Sequence, residues 1–318
     1  MSQRANQSIG VDGVLVVDKA AGMTSHDVVS RARRALGTRR VGHVGTLDPM
    51  ATGVLPLVVG RATRLASLLS AGPKVYDGII RLGVVTDTYD LTGTKSPEAS
   101  EVESRSLAAV TSTAINAAIV SFVGTFMQHP PPFSAKKVGG VRAYRLARRS
   151  EPVAPRAVEV TVHALEVVSR TVERLHCRVT CEPGFYMRAL AHDLGCALGC
   201  GGCLEALRRE RSGAFDLTDA VPVGALADPS VPVADHLVPL ARLLPDLPSA
   251  VLTEHGTQRA KHGNRLSRAD LVSWNRNWWH EQADGSRARV KLIDGTGNLL
   301  AIAKVNSEHI LHPAIVLV

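Results

Sequence analysis

No stretch of this sequence approaches the roughly 20 consecutive apolar residues needed to cross a bilayer. The opening MSQRANQSIG has no apolar core of the kind that marks a signal peptide, so residues 1–10 read as a frayed tail on a cytoplasmic protein with no membrane partner. Neither GxGxxG nor GxxxxGK[ST] follows a strand-like run, which disfavours the nucleotide-cofactor folds. Internal repeats and heptads are missing, and no pair of carboxylates stands out as the acid/base couple of a glycosidase. Cysteine is scarce, and all five thiols lie between Cys177 and Cys203, with His176 and His192 among them. Cys177 and Cys181 alternate along a strand-like LHCRVTC, Cys196 and Cys200 fall four apart on an expected helix, and only Cys200 and Cys203 have a ligand-like spacing. A structural zinc site normally needs two such pairs, so no metal is expected and the thiols read as free in a reducing compartment.

What the chain does have is apolar material and base. With 318 residues, 45% of them hydrophobic, it can bury a sizeable core, and one large domain followed by a small one is the natural division. Lys and Arg outnumber Asp and Glu by 37 to 29, which favours a polyanionic partner. The base is clustered. Arg31, Arg33, Arg34, Arg39 and Arg40 crowd one stretch, and Lys136, Lys137, Arg142, Arg145, Arg148 and Arg149 crowd another, each able to track a phosphate backbone.

Along the chain, VDGVLVVD (11–18) predicts a buried strand. Thr24 or Ser25 then caps a helix with Val28, Val29, Ala32 and Leu36 on its apolar face, arginines turned to solvent, and Gly37 at its end. VGHVGTLDPMATG (41–53) predicts a long Gly-punctuated loop, GVLPLVVG a strand, RATRLASLL a helix, and KVYDGIIRLGV a strand running into the polar turn TDTYDLTG. A looser helical pattern covers 98–124, and the Pro-, Gly- and base-rich 129–152 reads as an exposed segment. Strands follow at 157–168 and 174–182, and PGFYMRALAHDLGCALG passes from loop to helix. Residues 222–248 are Pro-rich, as an interdomain connection would be, and 249–318 reads as a small β-rich appendage with a hairpin at Asp294-Gly295. Strands and helices interleave without a βαβ rhythm, so the expected class is α+β with a mixed sheet.

The 41–53 loop is the segment most loaded for chemistry, with three glycines, a histidine and an Asp-Pro in thirteen residues. Pro49 keeps Asp48 out of the helical region at the loop tip, although an Asp-Pro on its own more simply reads as a turn in which the carboxylate bonds its own backbone. Tyr76 alone reads as a half-buried strand tyrosine. The three tryptophans, Trp274, Trp278 and Trp279, read first as the core of the appendage, with stacking on a polyanionic partner's rings as the alternative.

GHVGTLDPMATGVLPLVVGRATRL resembles the signature of the TruB family of tRNA pseudouridine-55 synthases, as does VLVVDKAAGMTSHDVV before it. KVYDGIIRLGVVTDTYDLTG, PPPFSAKKVGGVRAYRLAR, GFYMRALAHDLG and LRRERSGAF match in the same order, covering about residues 11–215. The resemblance implies a largely antiparallel central sheet flanked by helices over 11–248 and a small PUA-like, RNA-contacting domain over 249–318. Carried over residue by residue, it makes Asp48 the nucleophile, sets Arg188 against it with Asp90 orienting the arginine, and stacks Tyr76 on the target base. Tyr186 would sit beside the base, Leu207 would close the apolar side, and His43 would support the flipped-out RNA loop. Lys19 matches the family's Asp-Lys-Pro in a structural or a direct role. Residues 129–152, with Lys136, Lys137 and Arg142, would form a thumb clamping the RNA backbone. Ala20, Phe185 and Cys203 depart from the family's usual proline, threonine and histidine.

The implied reaction isomerises uridine 55 in the T loop of tRNA and needs neither cofactor nor metal. A carboxylate nucleophile holds the nucleotide covalently while the base turns, an arginine keeps that carboxylate ionised in an apolar pocket, and a stacking ring offsets part of the cost of extruding the base. No obligate protein partner is expected. Two other readings of the same fold are a tRNA-binding folding chaperone and a guide-RNA-dependent synthase subunit.

Overall fold

A computed structural model describes residues 11–95, 107, 109–133, 137–138, 141–142, 156–274, 289–306 and 309–318. The chain opens with β1 (Gly13–Lys19), α1 (Ser25–Ala35), β2 (Val41–His43), β3 (Thr52–Val59), α2 (Ala66–Leu69) and β4 (Lys74–Leu82). It continues with α3 (Ser112–Val120), β5 (Gly124–Gln128), the two-residue β6 (Lys137–Val138) and β7 (Val141–Arg142), β8 (Val158–Arg170) and β9 (Arg174–Cys181). Then come α4 (Met187–Ala197), β10 (Gly202–Ser212), β11 (Phe215–Asp216) and β12 (Val221–Pro222). The last part holds β13 (Ser249–Leu252), α5 (Glu254–Lys261), β14 (Leu271–Trp274), β15 (Arg289–Ile293), β16 (Leu299–Val305) and β17 (Leu311–Val316).

Ten strands form one sheet whose main path runs β12-β1-β3-β10-β4-β9-β8-β5. Pairing is antiparallel except for β1 with β12 and β3 with β10. This is the mixed, largely antiparallel α+β sheet expected. β1 and β3 read as unbroken apolar runs because both of their faces are covered. Leu15, Val17, Leu55, Leu57 and Val59 join the core that includes Val28, Val29 and Ala32 of α1, while Val14, Val16, Val54 and Val58 face a second core completed by Leu299, Ile302 and Leu317 from the end of the chain. Leu299 and Ile302 belong to a separate five-stranded sheet, β14-β13-β15-β16-β17, and Leu317 follows its last strand; that sheet has its own core of Leu252, Ala260, Leu292 and Leu300. Trp274 packs against that core with the Arg268 guanidinium 5.1 Å over its ring; Trp278 and Trp279 lie outside the described residues.

Several local expectations are corrected. Thr24, not Ser25, caps α1, in a capping box with Asp27. Arg33 does not turn to solvent but donates to the Val41 carbonyl at 2.9 Å. Residues 41–43 are a strand rather than loop, pairing with 57–59 of β3. The helix expected over 61–69 is a 3-10 turn (Gly60–Leu65) and one α turn, because Gly60 takes a left-handed φ of +59° and Arg61 is tied to Asp12 at 2.7 Å. Cys200 does not share a helix with Cys196: α4 stops at Ala197, and Cys200 and Gly201 both donate back to the Gly195 carbonyl. Within 109–124, helix is confined to α3. β10, not singled out from the sequence, lies between β3 and β4 in the middle of the sheet. Residues 222–248 are tied to the main sheet at several points, although 227–230 are exposed: Val223, Leu226 and Val233 enter the main core, and Val14 and Val238 exchange backbone hydrogen bonds.

Candidate active site

The loop carrying Asp48 is pinned at each neighbouring position. Ser25, at the start of α1, accepts from the Leu47 amide at 2.9 Å and donates to the Leu47 carbonyl at 3.1 Å. Gly22 N–H and the Lys19 ammonium both donate to the Pro49 carbonyl. Lys19 is fully buried and also donates to the Ala20 and Met23 carbonyls, so it staples the 20–23 turn to the loop tip. Arg209 donates to the Gly45 and Val54 carbonyls, and Gly45, at φ +76°, lies so close that a Cβ would stand 3.2 Å from the guanidinium. The backbone is therefore fixed while the Asp48 side chain, 37% exposed, projects from it.

That carboxylate turns to Arg188 instead of its own backbone. Arg188 Nε donates to Oδ2 at 2.8 Å and Nη2 to Oδ1 at 3.2 Å, a two-point grip that fixes the plane of the carboxylate. The guanidinium lies in the first turn of α4, an unfavourable place for a cation, and is 6% exposed. It is accommodated because its other N–H groups donate to the Thr88 and Phe133 carbonyls at 2.9 Å and because Asp90 stands 3.7 Å away. Asp90 is in turn fixed by Thr88 and Thr92, which donate to its Oδ1.

Strand alternation supplies the opposite wall. Lys74 and Tyr76 face one side of β4, and across the ladder Gly78 pairs with Leu207 and Tyr76 with Arg209 of β10. Lys74, Tyr76, Leu207 and Arg209, together with Asp48, Phe185, Tyr186 and Met187, line a cavity of about 320 Å³. Burial raises the Tyr76 and Tyr186 phenols above their ordinary range and so keeps them neutral. Burial also brings the Lys19 and Lys74 ammoniums down to about 8, the nearby Arg209 adding to the effect.

Of the residues singled out in the sequence, Asp48, Arg188, Tyr76, Tyr186 and Leu207 meet in this cavity. Asp90 and Lys19 stand behind it as supports. His43 lies on β2 outside the lining, its Nδ1 buried without a hydrogen-bond partner among the described residues and its basicity lowered by burial and by Arg209. Lys136 lies outside the described residues; Lys137 and Arg142 pair across β6 and β7, and nothing is described of their side chains. Among the described residues no His, Cys, Asp or Glu group has the arrangement of a metal site. Sequence reasoning missed Arg209, Lys74, Ser25 and Gln128. The last, at the end of β5, donates to the Tyr186 carbonyl and accepts from its amide, fixing the start of α4. For Lys74 a signal existed, since it stands two residues before Tyr76 on a strand and so shares its face.

Comparison with known proteins identifies the family. Residues 33–187 match the TruB family pseudouridylate synthase N-terminal domain, and 188–251 match the tRNA pseudouridylate synthase B C-terminal domain. The chain is 40% identical to tRNA pseudouridine synthase B of Solibacter usitatus over 96% of its own length and all of that protein's. It is 45% identical to the protein of the same name in Thermobifida fusca, over 80% of this chain and 87% of the relative. Among solved structures, the H/ACA RNP bound to a substrate RNA containing 2'-deoxyuridine superposes with a TM-score of 0.71 over 97% of this chain and 86% of the other, at 22% identity, and shares the fold. With the two family models together matching residues 33–251 and a relative 40% identical over nearly the whole chain, the chain belongs to the TruB family of pseudouridylate synthases.

Proposed function

We propose that this protein isomerises uridine 55 in the T loop of tRNA to pseudouridine, with Asp48 as nucleophile. The observation that carries the reading is the Asp48 carboxylate itself, part-exposed at the cavity wall and held at two points by the buried Arg188. The relatives' shared name, tRNA pseudouridine synthase B, supports the substrate class. The reaction breaks the N1–C1′ bond of the nucleotide, turns the base and joins C5 to C1′, with the C5 proton lost and one gained at N1. Atoms and electrons balance with no redox partner and no phosphate attacked. A uridine extruded from its loop stacks on Tyr76, with Leu207 and Met187 closing the apolar side and Tyr186 at its edge. The apolar walls keep water from a covalent intermediate.

Residues 11–248 form the catalytic unit in this reading. The five-stranded C-terminal sheet and the 129–152 segment, with Lys136, Lys137 and Arg142, contact the RNA backbone, His43 supports the displaced loop, and the protein works in the cytoplasm. No helix among the described residues is long and apolar enough to cross a membrane. A chaperone without catalysis has no use for a carboxylate gripped at two points in a base-sized cavity, and a guide-RNA-dependent subunit is not what the relatives at 40–45% identity are named for. Single-turnover conversion of a labelled T-arm stem-loop tests the proposal. Asp48→Asn should bind RNA and fold as before yet lose roughly 10⁴-fold or more in rate, and near-normal turnover would sink the mechanism.

A further inference from the structure

Tyr89 has a φ of +63°, a left-handed backbone that glycine adopts freely and tyrosine does not. It sits between the two residues of the 86–94 turn that hold the active-site arginine: Thr88, whose carbonyl accepts from Arg188, and Asp90, whose carboxylate stands 3.7 Å from it. One edge of this turn is tied to β10, where Leu91 N–H donates to Leu204 O and Leu204 N–H donates to Tyr89 O. The other edge is held by a ring. Tyr89 stacks on the imidazole of His192 with centroids 3.9 Å apart and planes within 5°.

His192 is on α4, four residues after Arg188, and residues four apart lie on one helix face. That face therefore grips the turn twice, through a guanidinium and through an imidazole. His192 is not placed for its nitrogens: among the described residues Nδ1 is buried with no hydrogen-bond partner and Nε2 meets only the Cys196 thiol, at 3.7 Å. What the structure uses is the flat face of the ring. Burial keeps both members of the stack uncharged, moving His192 down and Tyr89 up.

We infer that His192 is a positioning residue for the isomerisation: stacked on Tyr89, it locks the 86–94 turn so that Thr88 and Asp90 aim the Arg188 guanidinium at Asp48. The inference rests on the reading of Asp48 as a nucleophile partnered by Arg188. The test is tritium release from a T-arm stem-loop labelled at C5 of uridine, yielding kcat and KM, with a melting curve for each variant. His192→Ala should lower kcat roughly tenfold with KM and Tm little changed, because a guanidinium displaced by a fraction of an ångström keeps the fold and loses the reactive geometry. His192→Phe keeps a stacking face without nitrogens and should restore kcat to within about twofold of the parent. Tyr89→Gly keeps the left-handed backbone and removes the ring; it should match His192→Ala, and the double variant should be no slower than either.

A His192→Ala variant with unchanged kcat, a loss that falls on KM, losses that multiply in the double variant, or a folded His192→Phe that stays slow would each overturn the inference. If the Ala variant melts early, the Phe variant decides alone. An inactive Asp48→Asn beside a fully active His192→Ala removes the positioning role only, whereas an active Asp48→Asn removes the nucleophile reading and this inference with it.

Discussion

Replacing Arg188 by Met keeps the length of the side chain and deletes the charge, which separates what the arginine does for the fold from what it does for the reaction. Four hydrogen bonds are lost: two to Asp48 and one each to the Thr88 and Phe133 carbonyls. Asp48 is more than a third exposed, so water takes over there and little stability is lost. Asp90 is 6% exposed at its side chain and would keep its threonine donors but lose its only cation within ion-pair distance among the described residues. Breaking a buried pair costs about 3–5 kcal/mol, and with Asp90 otherwise satisfied the lower figure applies. For a chain of this size about 3 kcal/mol lowers Tm by only roughly 4–5 °C, so the variant still folds at 25 °C.

The rate should suffer far more than the fold. A preorganised partner of a reacting charge contributes about 10²–10³-fold, so kcat for Arg188→Met should fall by about 10³. Arg188→Lys should fall by about 10², since one ammonium cannot grip both carboxylate oxygens and reach two carbonyls as well. KM for a T-arm stem-loop should barely change, because Tyr76, Tyr186 and Leu207 still wall the cavity. Tritium release under saturating and subsaturating RNA, beside a melting curve, measures both quantities. A folded Arg188→Met within about tenfold of the parent would show that Asp48 does not need this partner, and a loss confined to KM would move Arg188 from the carboxylate to the RNA.

Two further outcomes follow from the cavity walls. Tyr76→Phe keeps the stacking face and should retain most turnover, whereas Tyr76→Leu should lose turnover much more severely; equal activity of the two in the same assay would make the ring structural. Lys74 should make stability depend on pH. Its folded value of about 8 lies below the 10.5 of an unperturbed lysine, so between those values the unfolded chain binds more protons and raising the pH favours the folded state. Lys74→Met removes the burial penalty, so it should be the more stable protein at pH 7, by at most roughly 3 kcal/mol, with the advantage fading between pH 8 and 10.5. Melting curves across that range check it, and a difference that does not change with pH would rule out burial of the charge as the cause.

Much of this protein was legible in its sequence, for physical reasons that can be named. β1 and α1 follow from an apolar run and from a capped, one-sided apolar stripe, and such local patterns survive into any fold that buries them. The Asp48 loop was marked by its glycines and Asp-Pro, and the resemblance to a known signature pointed to Arg188, Tyr76, Tyr186 and Leu207, which the fold brings to the same cavity and which spacing alone does not connect. The C-terminal hairpin at Asp294-Gly295 was read from its turn.

Tertiary structure decided the rest, because what mattered was partners distant in the chain. LEALRRERS, dense in charge and not singled out as a strand from the sequence, is a central strand whose charges are met from other strands: Arg208 pairs with Asp18, Glu205 with Arg174 and Glu210 with Arg178. Arg209 is almost wholly buried and spends its donors on the Gly45 and Val54 carbonyls, more than 150 residues away in sequence. Lys19 staples the 20–23 turn to the Asp48 loop because the carbonyls of Ala20, Met23 and Pro49 converge on it. The Pro-rich 222–248 stretch is held to the main sheet at Val238 because β1 offers it a free edge at Val14. Periodicity and turn chemistry are written locally and can be read locally; which buried cation meets which carbonyl depends on how the strands are ordered, and only the folded sheet sets that order.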